Sequence, residues 1–245
     1  FHASRLAIEL TMSSVPLEDD FDTDISHLQK LHQREYEIRS YVKTPETILI
    51  RGRVKDTKPP GVYFDDDPNP LEIHKMVIDL IIEFPDLVII DANVRMETHP
   101  HGHCPSIVDH YRELIGLSIA RGFTHKVREL FGGPKGCAHT TALLQAMAPV
   151  AVQSTWSMRI LSPTEQMIAP PISGDATPEE IRTRMAFNLN TCHIWSDPGP
   201  MFDAIDRGEE VAPPLWAVQR ADELGQSLVS WRERMAGRSP TNPSN

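Results

Sequence analysis

Residues 73–94 read Ile73-His74-Lys75-Met76-Val77-Ile78-Asp79-Leu80-Ile81-Ile82, then Glu83-Phe84-Pro85-Asp86, then Leu87-Val88-Ile89-Ile90-Asp91-Ala92-Asn93-Val94. Two aliphatic, β-branched runs joined by a short proline-bearing break predict a β-hairpin. Upstream, Tyr36 to Val42 and Ile48 to Val54 alternate apolar and polar residues, with Lys43-Thr44-Pro45-Glu46 as the turn between them. That is a second hairpin, and four such strands predict one antiparallel sheet. Between the hairpins, Lys58-Pro59-Pro60-Gly61 and Asp65-Asp66-Asp67-Pro68-Asn69-Pro70 cannot extend a ladder, because proline lacks the donor and the acids prefer water. A surface loop is expected there.

Downstream of the hairpins the apolar period changes from two to between three and four. Ile107, Tyr111, Leu114 and Ile115, then Phe123, Val127 and Leu130, predict short helices separated at Gly116 and Gly122. Gly132-Gly133-Pro134-Lys135-Gly136 breaks the chain again, and Thr140 to Met158 predicts the longest helix of this half. Pro178 opens a further helix with Thr177 as its N-cap, ending near Asn188, and Leu215 to Met235 has helical spacing. Strands first and helices later predict an α+β fold, an antiparallel sheet of about four strands covered by helices. The expected division is an acidic, Ser- and Pro-containing N-terminal arm over 1–30, a core domain over 31–160, and a C-terminal extension over 161–245 with helices and a frayed tail.

The chain has 245 residues, 40% hydrophobic and 24% charged, enough to bury a core without crosslinks. Lys plus Arg number 24 against 34 Asp plus Glu, a formal charge of -10 that repels a phosphate backbone and argues against nucleic acid as main partner. No apolar run approaches the roughly 20 residues a bilayer requires, so no membrane partner is expected. No basic-then-apolar segment opens the chain, which makes the cytoplasm the expected compartment.

The three cysteines each lie beside histidine in short polar contexts: His99-Pro100-His101-Gly102-His103-Cys104-Pro105, Gly136-Cys137-Ala138-His139 and Thr191-Cys192-His193. Thiolate with imidazole is a ligand set for zinc and for iron. Cys137 and His139 stand at a helix start, where the dipole favours thiolate. His74 is a polar ring at the start of an apolar strand. These residue types predict a metal site drawn from His74, Cys104, Cys137 and His139, with Cys192 or His193 able to complete or replace a ligand. A solvated loop is the plain reading of His99, His101 and His103, and a solvated turn that of Asp65 to Asp67. The glycine-rich turn at 132–136 lacks the full phosphate-loop pattern. A Cys137 and His139 nucleophile pair is disfavoured, because residues so close on the chain seldom align as nucleophile and base.

From Leu28 to Gln153 the chain resembles the bacterial family DUF2889. The resemblance rests on Ile73-His74-Lys75-Met76, Pro100 to Cys104, Leu114-Ile115-Gly116-Leu117, Gly122-Phe123, Gly132-Gly133 and Gly136-Cys137-Ala138-His139, with Cys192-His193 as a later motif. Thr140 stands where members commonly have leucine. The order of strands, Cys104, two helices, Cys137 and a long helix is more distantly similar to the NifU-type iron-sulfur scaffold fold. That likeness implies a NifU/SufE-like core and a site enclosing zinc or a cluster near His74, Cys104 and Cys137, with His139 displaced to follow its cysteine.

The sequence thus predicts a metal-binding protein with one zinc or iron ion per chain, acting as a hydrolase or lyase on a small organic substrate. In that reading His101 or His103 moves a proton. A strongly anionic substrate would need Arg95, Arg112 or Lys135 nearby. The alternatives are a non-catalytic carrier of metal or of an iron-sulfur cluster, and a closed structural zinc site. A homo-oligomer is compatible with either.

Overall fold

A computed structural model describes residues 21–22, 24–162 and 176–235. The expected N-terminal arm, the irregular stretch after Pro163 and the frayed tail fall largely or wholly outside the described residues. The four strands are β1 (Gln33–Thr44), β2 (Thr47–Lys58), β3 (Leu71–Glu83) and β4 (Val88–Thr98). They form one antiparallel sheet in the order β1-β2-β3-β4. Each neighbour pair is joined in sequence, so the sheet is an uninterrupted meander, and the proline-rich loop spans β2 to β3.

Alternation decides which face is buried. On β2, Ile48, Ile50 and Val54 point inward, and on β3, Met76, Ile78, Leu80 and Ile82 do the same. A 3-10 helix (Cys104–Leu114), α1 (Phe123–Phe131) and α2 (Ala138–Leu161) complete the core domain. Tyr111, Leu114, Phe123, Val127 and Phe131 pack into the same cluster as Leu143, Leu144, Met147, Ala151 and Met158 of α2. The predicted breaks at Gly116 and Gly122 are real: both residues have φ in the left-handed region, at 90° and 66°. Gly116 to Ile119 returns along the start of β4, with Gly116 N–H donating to Ile89 and Ile89 N–H to Leu117.

α2 lies along the inner face of β1 and β2. It packs tightly at Gly52, where a Cβ would stand 2.7 Å from Met147 Sδ and 3.1 Å from Leu143 Cδ1. Farther along, Ser154 Oγ donates to Ser40 Oγ at 2.7 Å. The N-terminus of α2 is thereby directed toward the end of the sheet where β2 finishes and β3 begins.

Beyond the core come α3 (Pro178–Met185), α4 (Pro200–Asp206), α5 (Leu215–Glu223) and α6 (Leu228–Met235). Thr177 caps α3 as expected, in a reciprocal capping box with Glu180. The helical spacing over Leu215 to Met235 resolves into two helices, because Gly225 with φ 61° ends the first. Among the described residues of this part, Phe202, Ile205 and Ala217 are the buried apolar ones, and α6 contacts α2.

Candidate metal centre

The inward file of β2 runs Ile48, Ile50, Gly52, Val54 and ends on Asp56, while that of β3 runs Ile82, Leu80, Ile78, Met76 and ends on His74. In the ladder Asp56 pairs with His74 on one side and with Arg34 of β1 on the other. Arg34, Asp56 and His74 thus form one row across three strands. His139 enters from the first turn of α2.

Asp56 is the centre of the cluster, with its side chain only 2% exposed. Arg34 clasps it with both ends of the fork, Nε to Oδ1 at 2.6 Å and Nη2 to Oδ2 at 2.7 Å. His139 Nε2 lies 3.1 Å and His74 Nδ1 3.3 Å from the same Oδ2. His32 Nε2 stands 3.6 Å from Oδ1. The His74 and His139 rings stack, with centroids 3.8 Å apart and planes inclined by 28°. The approach of His74 Nδ1 to Asp56 lacks hydrogen-bond geometry, and that buried nitrogen has no other hydrogen-bond partner. A buried donor or acceptor left in this state carries a cost that a ligand would remove.

The electrostatics follow from the packing. Burial pushes the Asp56 carboxyl up, but Arg34, His139 and His32 more than offset this and hold it below its ordinary value. Burial, with the neighbouring His139 charge, holds His74 below the usual imidazole range. His139 is raised, chiefly by its hydrogen bond to Cys137 and, against burial, by the charges of Cys137 and Asp56. Two imidazoles stacked this closely resist carrying protons together, and these opposite directions express that.

Asp56, His74 and His139 each offer one ligand atom to a common point, all within 4.8 Å of one another. For bonds of about 2.1 Å, donors on one ion are roughly 3.0 to 3.4 Å apart. The two contacts to Asp56 Oδ2, at 3.1 and 3.3 Å, match the spacing of donors on one ion, and all three ligand atoms lie within 4.8 Å of one another. Two imidazoles and one carboxylate suit zinc with an open position or non-haem iron.

Of the residues singled out by sequence, His74 and His139 are brought together here. Cys137 lies beside them rather than among them: its Sγ is 3.6 Å from Nδ1 of His139, the nitrogen facing away from Asp56. Its backbone N–H donates to the Tyr111 hydroxyl at 2.8 Å. Burial pushes the thiol up, yet hydrogen bonds from His139 and Thr140 bring it down to about 7. Cys104, half-buried, opens the 3-10 helix, and exposed His101 and His103 occupy the turn before it. That turn leaves β4 at Thr98, the ladder partner of Lys75, so it lies at the same end of the sheet as His74. None of these three belongs to a ligand group among the described residues, nor do Asp65 to Asp67 or exposed Cys192. Asp56 escaped the sequence reading. The signal for it was parity, since counting by twos from Ile48 places an acid on the core face.

A family model described as a protein of unknown function, DUF2889, matches residues 32–153. No curated protein and no solved structure matches the chain. Among the described residues no helix is long and apolar enough to cross a membrane.

Proposed function

The chain belongs to the DUF2889 family, and from that premise and the cluster geometry we propose a metal-dependent enzyme, a hydrolase or lyase acting on a small organic substrate. Asp56, His74 and His139 hold one zinc or iron ion in this reading. The observation that carries it is the convergence of three donor side chains from β2, β3 and the start of α2, their ligand atoms within 4.8 Å of one another, with His74 Nδ1 buried and unbonded. Three protein ligands leave coordination positions open, as catalytic sites require. Such an ion supplies a Lewis-acidic centre for activating water or polarising a substrate oxygen. Asp56 is oriented by Arg34, and His139 by Cys137 on its far nitrogen, the outer support that ligating residues commonly receive. His101 and His103 are the candidates for moving a proton, from the neighbouring turn.

Elemental analysis of freshly purified protein is the test. One zinc or iron per chain, lost in Asp56→Asn, His74→Ala and His139→Ala but kept in Cys104→Ser, supports the proposal. Loss of metal in Cys104→Ser would instead favour the cysteine-rich ligand set of a closed zinc site or cluster carrier. A wild-type protein that neither contains nor takes up a divalent ion sinks the metal reading.

One observation favours a second reading. Cys137 Sγ, His139 and Asp56 stand in line, 3.6 Å and 3.1 Å apart, at the start of a long helix. Thiol, imidazole and carboxylate in that order can serve a nucleophilic hydrolase without metal. Metal-free protein inactivated by alkylation of Cys137 would select this reading.

A further inference from the structure

Access to the cluster is graded. Side-chain exposure rises from 2% at Asp56 through 17% at His74 and 19% at His139 to 34% at His32 and 37% at Arg34. The two most exposed members, Arg34 of β1 and His32 just before it, both touch Asp56, so a molecule approaching the ligand atoms from the β1 side meets them first. Arg34 spends two of its five N–H donors on Asp56, so donors remain for a ligand. Its guanidinium is already fixed in plane by the Asp56 clasp, so little further ordering is needed to grip a second oxyanion.

The charge count points the same way. The protein as a whole carries -10. The cluster, however, pairs one carboxylate with one guanidinium, and a divalent ion would leave it with a net charge of +2. In a mostly acidic molecule this is a local centre for an anion. We infer that Arg34, with His32 beside it, is the recognition edge of the site, and that the substrate is a small oxyanion whose carboxylate or phosphate oxygens meet Arg34 while a neighbouring oxygen faces the ion. This rests on the metal reading above. It gives the anion-binding part to Arg34 rather than to Arg95, which is engaged with Asp79 on the outer face of the sheet.

The experiment loads the full chain with cobalt(II) and follows its visible absorption during titration with acetate and, separately, inorganic phosphate. Saturable change with either anion is expected, acetate marking a carboxylate substrate and phosphate a phosphorylated one. Arg34→Gln, titrated with anion at cobalt concentrations high enough to fill its weakened site to one per chain, should bind the anion at least tenfold more weakly. Because Arg34→Gln strips Asp56 of its charged partner, Arg34→Lys serves beside it, keeping the charge without the fork, with an intermediate loss expected. Anion binding unchanged in both variants, or no response of the wild type to either anion, overturns the inference. Failure of the wild type to take up cobalt overturns the metal reading instead. Calorimetry of the metal-free protein with phosphate then decides the anion edge separately, Arg34-dependent binding upholding it and its absence ending it.

Discussion

Asp56 and His74 face each other directly across β2 and β3, each the polar terminus of an otherwise apolar inward file. Two strands that bury aliphatic side chains along most of their length thus deliver a carboxylate and an imidazole to the same spot. Arg34 offsets the cost of burying the carboxylate, whereas His74 stacks on the ring of His139 and keeps its Nδ1 without a hydrogen-bond partner.

Asp56→Asn should separate the structural from the binding role of this carboxylate. The amide keeps the shape but loses the charge, so Arg34 forfeits a charge-assisted pair, costing about 1–3 kcal/mol in urea denaturation. Arg34 retains access to water, which places the value toward the lower end. Metal content should fall to background in the same samples. Full metal content in Asp56→Asn would remove Asp56 from the ligand set.

Cys137 should be the most reactive thiol of the metal-free protein at neutral pH. With a pKa of about 7, its alkylation by iodoacetamide should rise through pH 7 and level off above it. His139→Ala removes the largest lowering contact, so the rise should move to higher pH. Peptide mapping by mass spectrometry reads both, and equal labelling of all three cysteines would count against the His139 contact.

Acid stability should report on Asp79. Burial works to raise this carboxyl, but Arg51 and Arg95 outweigh it and the net shift is downward. The folded value lies below the unfolded one of about 3.9. The resulting stabilisation is therefore complete above that value and is lost as pH falls through the depressed folded value. Urea midpoints should decline more steeply in this range for the wild type than for Asp79→Asn, and parallel curves would refute the assignment.

Gly52→Val should destabilise the core by about 1–3 kcal/mol, because the added side chain meets Met147 and Leu143 where α2 rests on β2. Met147→Ala in the same chain should recover part of the loss, since the two changes exchange volume across one contact. A double-mutant cycle without coupling would show that α2 does not seat there.

Both hairpins, the intervening loop and the long helix were readable, because period-two alternation, proline and glycine act locally. The segment around Tyr111 and Leu114 was legible as helical but not as a 3-10 helix, since an apolar step of three fits either winding. His74 stood out as a polar ring in an apolar strand, and His139 by its place two residues after a cysteine at a helix start. Asp56 did not, because an acid near a strand end looks like an ordinary approach to the loop. Its inward direction is set by the ladder to β3, a relation that local composition does not express. Which of the cysteines and histidines share a group with Asp56 is likewise set by how the sheet and α2 pack, a relation not expressed in their spacing along the chain.

The single row through Arg34, Asp56 and His74 has a consequence for assembly of the fold. A slip of one residue in the pairing of β1 with β2, or of β2 with β3, would turn one of the three to the opposite side of the pleat. An ion seated there would act as a rivet through the meander, gripping only the correctly aligned strands and lending its binding energy to that alignment over its neighbours.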